Sequence, residues 1–161
     1  MPLYFAYGAN MDRETMRRCC PKSRPLGRAR LARHRFFIMS SGHGSVKRDA
    51  RMDVHGVVYD LAFADIPALG RCGELGHGLY QKISQPVLRD GAAPVRALLH
   101  VGVSAREGVA QAAYLETMIA AAGDWDFPDS YCSYLRALAG RTAMDNRGKA
   151  SGWHGIRLKG V

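Results

Sequence analysis

Apolar and polar positions divide this chain into extended segments first and helical segments last. Leu3 to Tyr7 is continuously apolar and aromatic, the pattern of a strand enclosed on both faces. Gly8 supplies a turn, because it tolerates backbone angles that residues with a Cβ resist. Asn10 is a good N-cap, and Asp12 and Glu14 put carboxylates where the positive end of a helix favours them. The pattern therefore predicts a helix over about 11–20, stopped by Pro21. Pro21 to Arg28 reads as loop and Leu31 to Met39 as strand. Ser40 to Ser45, with three Ser and two Gly, reads as a turn region.

Val54 to Leu61 is a further strand, and a short helical stretch follows over about Ala64 to Arg71. Glu74-Leu75-Gly76-His77-Gly78 is a glycine-bracketed loop. Leu79 to Leu88 and Val95 to Val103 form a hairpin across the Asp90-Gly91 turn. Ser104 and Glu107 have capping-box spacing for a helix reaching about Ala122, although Gly108 weakens its first turn. Pro128 suits the first turn of a last helix, in which Tyr131, Leu135 and Leu138 share a face, and Gly140 is expected to end it. Residues 1–140 read as one domain. Residues 141–161 read as a polar, basic tail that wraps the surface or frays, with Trp153 its exception. Strands outnumber helices and include a hairpin, so periodicity supports an α+β fold.

A chain of 161 residues buries roughly two-thirds of its unfolded surface, which needs neither disulfide nor metal to fold. No apolar run approaches the ~18 residues of a membrane span. Met1-Pro2 leads into the first strand without a basic-then-apolar signal sequence. Cys19 and Cys20 are adjacent while Cys72 and Cys132 stand alone, and there is no C-x-x-C. That spacing argues against zinc, and reduced thiols in a cytoplasm are the expectation. A net charge of +9 and a pI near 9.8 raise the question of nucleic acid. Nine Arg and Lys residues lie between Arg13 and Arg35. The stretch lacks interleaved aromatics and any zinc-finger, RNP or KH signature, so no specific nucleic-acid partner is expected. A solvated basic face fits it, as does a positive field that draws in an anionic substrate.

The strand–glycine–helix junction aims backbone N–H groups at one small volume. It can cradle a carboxylate, a phosphate or a developing oxyanion, or be an ordinary β-turn-α connection. Among four glutamates, Glu14 suits a helix start, Glu107 a capping box and Glu116 a helix. Glu74 lies between Cys72-Gly73 and Leu75-Gly76, with Arg71 the one cation nearby in sequence. Apolar, tightly turned surroundings would desolvate its carboxylate and raise its pKa towards that of a general base; an exposed loop glutamate is the plainer alternative. Cys72 and His77 have no orienting third group, the six histidines lack ligand spacing, and Gly42-His43-Gly44-Ser45 lacks the P-loop lysine.

Tyr4-Phe5-Ala6-Tyr7-Gly8-Ala9-Asn10-Met11 resembles the opening signature of the γ-glutamylcyclotransferase, or AIG2-like, family. Val54-His55-Gly56-Val57-Val58-Tyr59-Asp60-Leu61 is similar to the family's glycine-valine-valine-tyrosine strand. Leu69 to Tyr80 sits where the family carries its catalytic glutamate, and Phe127-Pro128-Asp129-Ser130-Tyr131 is similar to its late proline-tyrosine motif. The resemblance implies a small, mixed, largely closed β-barrel with helices packed outside. It implies Glu74 as the catalytic acid and base, with Tyr7, Gly8, Ala9, Asn10 and Tyr114 contacting a small γ-glutamyl substrate. The implied reaction closes the γ-glutamyl group to 5-oxoproline and releases an amine, without metal or organic cofactor. Three positions depart from the family pattern. Ala9 replaces a serine, Gly70 replaces a common aspartate, and the spacing from Glu74 to Tyr80 is one residue short. The alternative is a non-catalytic barrel of the same fold that binds a small acidic metabolite or a protein.

Overall fold

The computed structural model describes residues 1–72, 75, 76 and 78–151, the side chains of 150 and 151 excepted. Five strands run as β1 (Leu3–Ala6), β2 (Arg24–Ile38), β3 (Gly44–Asp60), β4 (Tyr80–Arg89) and β5 (Val95–Gly102). They close a barrel in the order β1-β3-β2-β4-β5. Four of the pairings are antiparallel, and the barrel closes through the parallel pair of β1 and β5, where Tyr4 faces Leu98. This is the mixed, closed barrel the resemblance implies. The helices are α1 (Arg13–Cys19), α2 (Ile66–Leu69), α3 (Ala112–Asp124) and α4 (Asp129–Ser151).

The longest pairing is that of β2 with β3, and it exceeds what apolar periodicity marks. Strand β2 begins at Arg24 instead of Leu31, and β3 begins at Gly44 instead of Val54. Eight of the 17 added residues are Arg, Lys or Asp at exposed or half-buried positions, which give no strand signature but complete the hydrogen-bond ladder. Two register shifts bend the hairpin, at Pro25/Gly27 and Ala32/His34. Gly27 takes φ 129° at the first, a conformation that favours glycine. Arg33 takes φ 58° at the second, held by its N–H donating to Asp53 Oδ1 at 3.2 Å.

Four local expectations are corrected. The cap of α1 is Asp12, whose carboxylate accepts from the Thr15 N–H at 2.8 Å; Asn10 lies in a 3-10 turn (Ala9–Met11) with its side chain turned inward. No helix starts at Ser104. Residues 106–108 instead extend the sheet: Ser40 N–H donates to the Arg106 carbonyl, Gly108 N–H donates to the Ile38 carbonyl, and Met39 bridges Glu107. Glu107 is consequently no cap, and pairs with Arg35 and Lys47. Helix α4 passes through Gly140 to Ser151, because Leu138 and Thr142 on either side of it are buried against the body. Residues 141–151 of the expected tail are thus helical, and its remainder, 152–161 with Trp153, lies outside the described residues.

The fourth correction concerns the cysteines. Cys19 and Cys72 form a disulfide with a Cα–Cα separation of 6.0 Å, well within the span such a bond requires. Cys20 and Cys132 are free and buried. Sequence spacing does not reveal the pairing, because 53 residues separate its members and the fold brings the end of α1 beside the segment after α2.

The core is continuous. It joins the barrel interior to the inner faces of α3 (Leu115, Met118, Ala121, Ala122) and α4 (Tyr131, Cys132, Leu135, Leu138). As expected, Tyr131, Leu135 and Leu138 share the buried face of the last helix. No helix of the described residues is long and apolar enough to cross a membrane.

Candidate active site

Strand β1 delivers Tyr7 and the turn that follows it to one end of the barrel. Gly8 caps the 3-10 turn, its carbonyl accepting from Met11 N–H at 3.0 Å, and the Ala9 carbonyl accepts from Asp12 N–H at 3.1 Å. Gly8 has φ −108°, so its turn does not use the left-handed freedom expected of it. The turn is anchored from the helix side too: Trp125, at the end of α3, donates its indole N–H to the Met11 carbonyl at 2.8 Å.

Two groups of polar side chains meet this end. In the first, Asn10 donates through Nδ2 to the Tyr4 hydroxyl at 3.2 Å, and its Oδ1 lies 3.7 Å from Cys72 Sγ. Tyr4 meets the His100 ring edge-on at 5.7 Å, and Tyr7 donates its hydroxyl to the His100 carbonyl. His100 is 7% exposed, and neither ring nitrogen has a hydrogen-bond partner among the described residues. Burial, aided by the nearby Lys82 charge, pushes its pKa down to about 4, so the imidazole is neutral at ordinary pH. A neutral imidazole can offer one donor and one acceptor.

The second group surrounds Gly44 at the start of β3. Gly44 N–H donates to the Tyr114 hydroxyl at 3.2 Å, and the Tyr80 hydroxyl donates to the Gly44 carbonyl at 2.7 Å. Ser45 Oγ accepts from Gly102 N–H at 2.9 Å, and Phe36 stacks edge-on against Tyr7 at 6.2 Å. A Cβ on Gly44 would collide with the Phe36 ring and stand 2.6 Å from the Tyr114 hydroxyl. Phe36 therefore joins Tyr7 to the Tyr114 cluster.

Of the residues that sequence reasoning placed at a site, Tyr7, Gly8, Ala9 and Asn10 form one turn, and Tyr114 reaches the same end from α3. Glu74 lies outside the described residues. The residue two positions before it, Cys72, touches Asn10 of the turn. The other three glutamates are accounted for. Glu14 pairs with Arg17, and Glu116 is exposed on α3, lining a groove with Ala139, Thr142 and Asn146 of α4. Hydrogen bonds from Lys47 and then Arg35 pull the Glu107 pKa down to about 2, which makes it a permanent anion and a poor base.

Sequence reasoning passed over His100, Ser45 and Gly44. His100 did leave a signal, as the one histidine inside the apolar run Ala97-Leu98-Leu99-His100-Val101. Among the described residues no group of His, Cys, Asp and Glu comes together as a metal site.

The sequence matches the AIG2-like family over residues 53–135. No curated protein sequence matches the chain. Among solved structures, a gamma-glutamyl cyclotransferase superposes with a TM-score of 0.75 at 21% identity, over 84% of this chain and 86% of that one. An uncharacterized protein from Homo sapiens gives the same figures. A gamma-glutamyl cyclotransferase specific to glutathione, from yeast, superposes at 0.58 with 10% identity over 88% and 96%. At such identities the likeness is one of fold.

Proposed function

The chain belongs to the AIG2-like family and has the γ-glutamylcyclotransferase fold, and from that premise we propose that it cyclises a γ-glutamyl amide or peptide to 5-oxoproline. The observation that carries this reading is the contact between Cys72 and Asn10. It joins the segment leading to Glu74 to the Tyr7-Gly8-Ala9-Asn10 turn.

In the proposed reaction the substrate's α-carboxylate and α-ammonium are fixed at the barrel end. Glu74 takes a proton from the α-ammonium. The freed amine attacks the γ-carbonyl carbon, closing a five-membered ring as the carbonyl π pair moves onto oxygen. Backbone N–H groups of the turn stabilise either that oxyanion or the bound carboxylate. Glu74 passes its proton to the leaving nitrogen as the oxyanion re-forms the carbonyl and the bond to that nitrogen breaks; the carboxylate then takes the extra proton from the ring nitrogen and releases it to the departing amine or to water. Nucleophile and electrophile share one molecule, so the protein supplies ring-closing conformation, proton transfer and charge stabilisation. No step calls for a metal or organic cofactor. Tyr114 and the neutral His100 ring are further polar groups at this end that the reading assigns to substrate orientation.

The test is incubation with a panel of γ-glutamyl compounds (glutathione, γ-glutamyl amino acids, γ-glutamyl-lysine isopeptide and γ-glutamyl amines), with 5-oxoproline detected by mass. Release from at least one member is expected. Binding without 5-oxoproline across the panel would make the chain a non-catalytic barrel instead. The reading places the protein in a cytoplasm, acting on a small metabolite with no specific nucleic-acid partner.

A further inference from the structure

The disulfide joins two places that matter to the proposed site. Cys19 is the last residue of α1, the helix that follows the Tyr7–Asn10 turn. Cys72 stands where the chain leaves α2, its N–H donating to the Leu69 carbonyl at 3.0 Å and its carbonyl accepting from Leu75 N–H at 3.1 Å. A single covalent link thus ties the helix after the turn to the segment that leads into Gly73-Glu74.

The two sulfurs differ in access. Cys19 is half-buried, whereas Cys72 is 5% exposed, so an external thiolate can reach the bond at Cys19. Neighbouring Cys20 does not compete for it. It is buried, its Sγ donates towards the Asp65 carbonyl at 3.9 Å, and burial beside Asp65 raises its pKa to about 11. The link also sets the bonding of Asn10. In the disulfide, Cys72 Sγ has no proton and can only touch Asn10 Oδ1 across 3.7 Å. Once reduced, its thiol can donate weakly to that oxygen while the covalent tie to α1 is gone.

We propose that Cys19 and Cys72 form a reversible thiol–disulfide site that exchanges with low-molecular-weight disulfides and dithiols, and that its oxidised form clamps the Cys72 segment in the geometry cyclisation needs. Formation is balanced by the partner disulfide. The Cys19 thiolate attacks one of its sulfurs and expels one thiolate. The Cys72 thiolate then attacks the Cys19 sulfur and expels the second. Reduction by a dithiol runs the same steps backwards. A cytoplasmic disulfide is most often of this transient, responsive kind. The effect on catalysis rests on the cyclisation reading given above; the clamp itself does not.

The test uses the full-length protein equilibrated with oxidised or reduced dithiothreitol, which carries no γ-glutamyl group and cannot act as substrate. Mass spectrometry after alkylation in denaturant counts thiols, hydrogen exchange follows peptides spanning residues 68–80, and 5-oxoproline release gives the rate. Oxidised protein should carry two alkylatable thiols and reduced protein four. Reduction should speed exchange in that peptide several-fold and lower kcat/KM at least threefold. Cys19→Ser, which leaves Cys72 in place, should behave as the reduced form and ignore dithiothreitol. Four thiols under oxidising conditions, or equal exchange and equal rates in both states, would overturn the proposal. If no γ-glutamyl compound is cyclised in either state, the enzymatic reading fails, and thiol count with exchange alone decides the clamp.

Discussion

The hydroxyl of Tyr114 on α3 accepts a hydrogen bond from the backbone N–H of Gly44, 70 residues earlier at the start of β3. The approach is possible because position 44 has no Cβ. One added there would collide with Phe36 and stand 2.6 Å from the Tyr114 oxygen. Gly44→Ala should therefore destabilise the fold by about 1–3 kcal/mol, the usual range for overpacking. For a domain of this size that lowers Tm by roughly 2–12 °C. Calorimetry checks it, and an unchanged Tm would mean the cluster yields freely.

His100 makes stability depend on pH. Its folded pKa, about 4, lies below the ordinary value of 6.5, so between these limits the unfolded chain binds a proton that the native state refuses. Stability should be complete above pH about 6.5 and fall as pH drops towards 4, by up to roughly 3 kcal/mol. Urea unfolding of wild type and His100→Leu across pH 4–7 measures it. The variant should show a flatter slope over that window; equal slopes would remove His100 as the cause.

The core of the barrel was legible because Leu3–Tyr7 and Val54–Leu61 are apolar enough to announce buried strands. The outer halves of β2 and β3 were not, since Arg48 and Arg51 carry no strand signature and their pairing is a property of the hairpin. Ser104 and Glu107 had the right spacing for a cap, but Gly108 lies against the Ser40 backbone, where its Cβ would be 2.6 Å from Ser40 Cα, and the segment pairs as sheet. At the site, the Tyr7–Asn10 turn was visible as a motif. Asn10 looked like a cap from its neighbours alone. Its actual partners, Tyr4 and Cys72, come from a strand and from a segment 62 residues later, which no local pattern reports.

Gly8→Val should reduce kcat/KM far more than a surface substitution does. Gly8 has φ −108°, which valine can adopt, so the expected harm comes from side-chain volume at the proposed anion cradle. Steady-state kinetics on folded variant protein decides it. Unchanged constants would show that this turn is not the anion cradle.

Five of the nine basic residues of the stretch form ion pairs, Arg17 with Glu14, Arg24 with Asp60, Arg28 with Asp90, Arg30 with Asp53 and Arg35 with Glu107, which lowers the charge it offers to phosphates. Binding to DNA or RNA should accordingly be weak, indifferent to sequence and lost by about 200 mM salt. Fluorescence anisotropy across a salt series tests this. A tight complex with one sequence at that salt would place the function elsewhere.

The central claim is that Glu74 is the base, and its most direct test is the rate of 5-oxoproline release by Glu74→Gln beside Glu107→Gln and Glu116→Gln. Glutamine keeps the size of the side chain and cannot take the ammonium proton. Turnover of Glu74→Gln should fall at least ~10²-fold, the lower range for a positioned acid–base group, with Tm unchanged. Glu107→Gln should stay active, because that carboxylate is already committed to Lys47 and Arg35. Glu116→Gln, on α3, should stay active as well. A Glu74→Gln protein that turns over normally while either of the others is inactive would contradict the account.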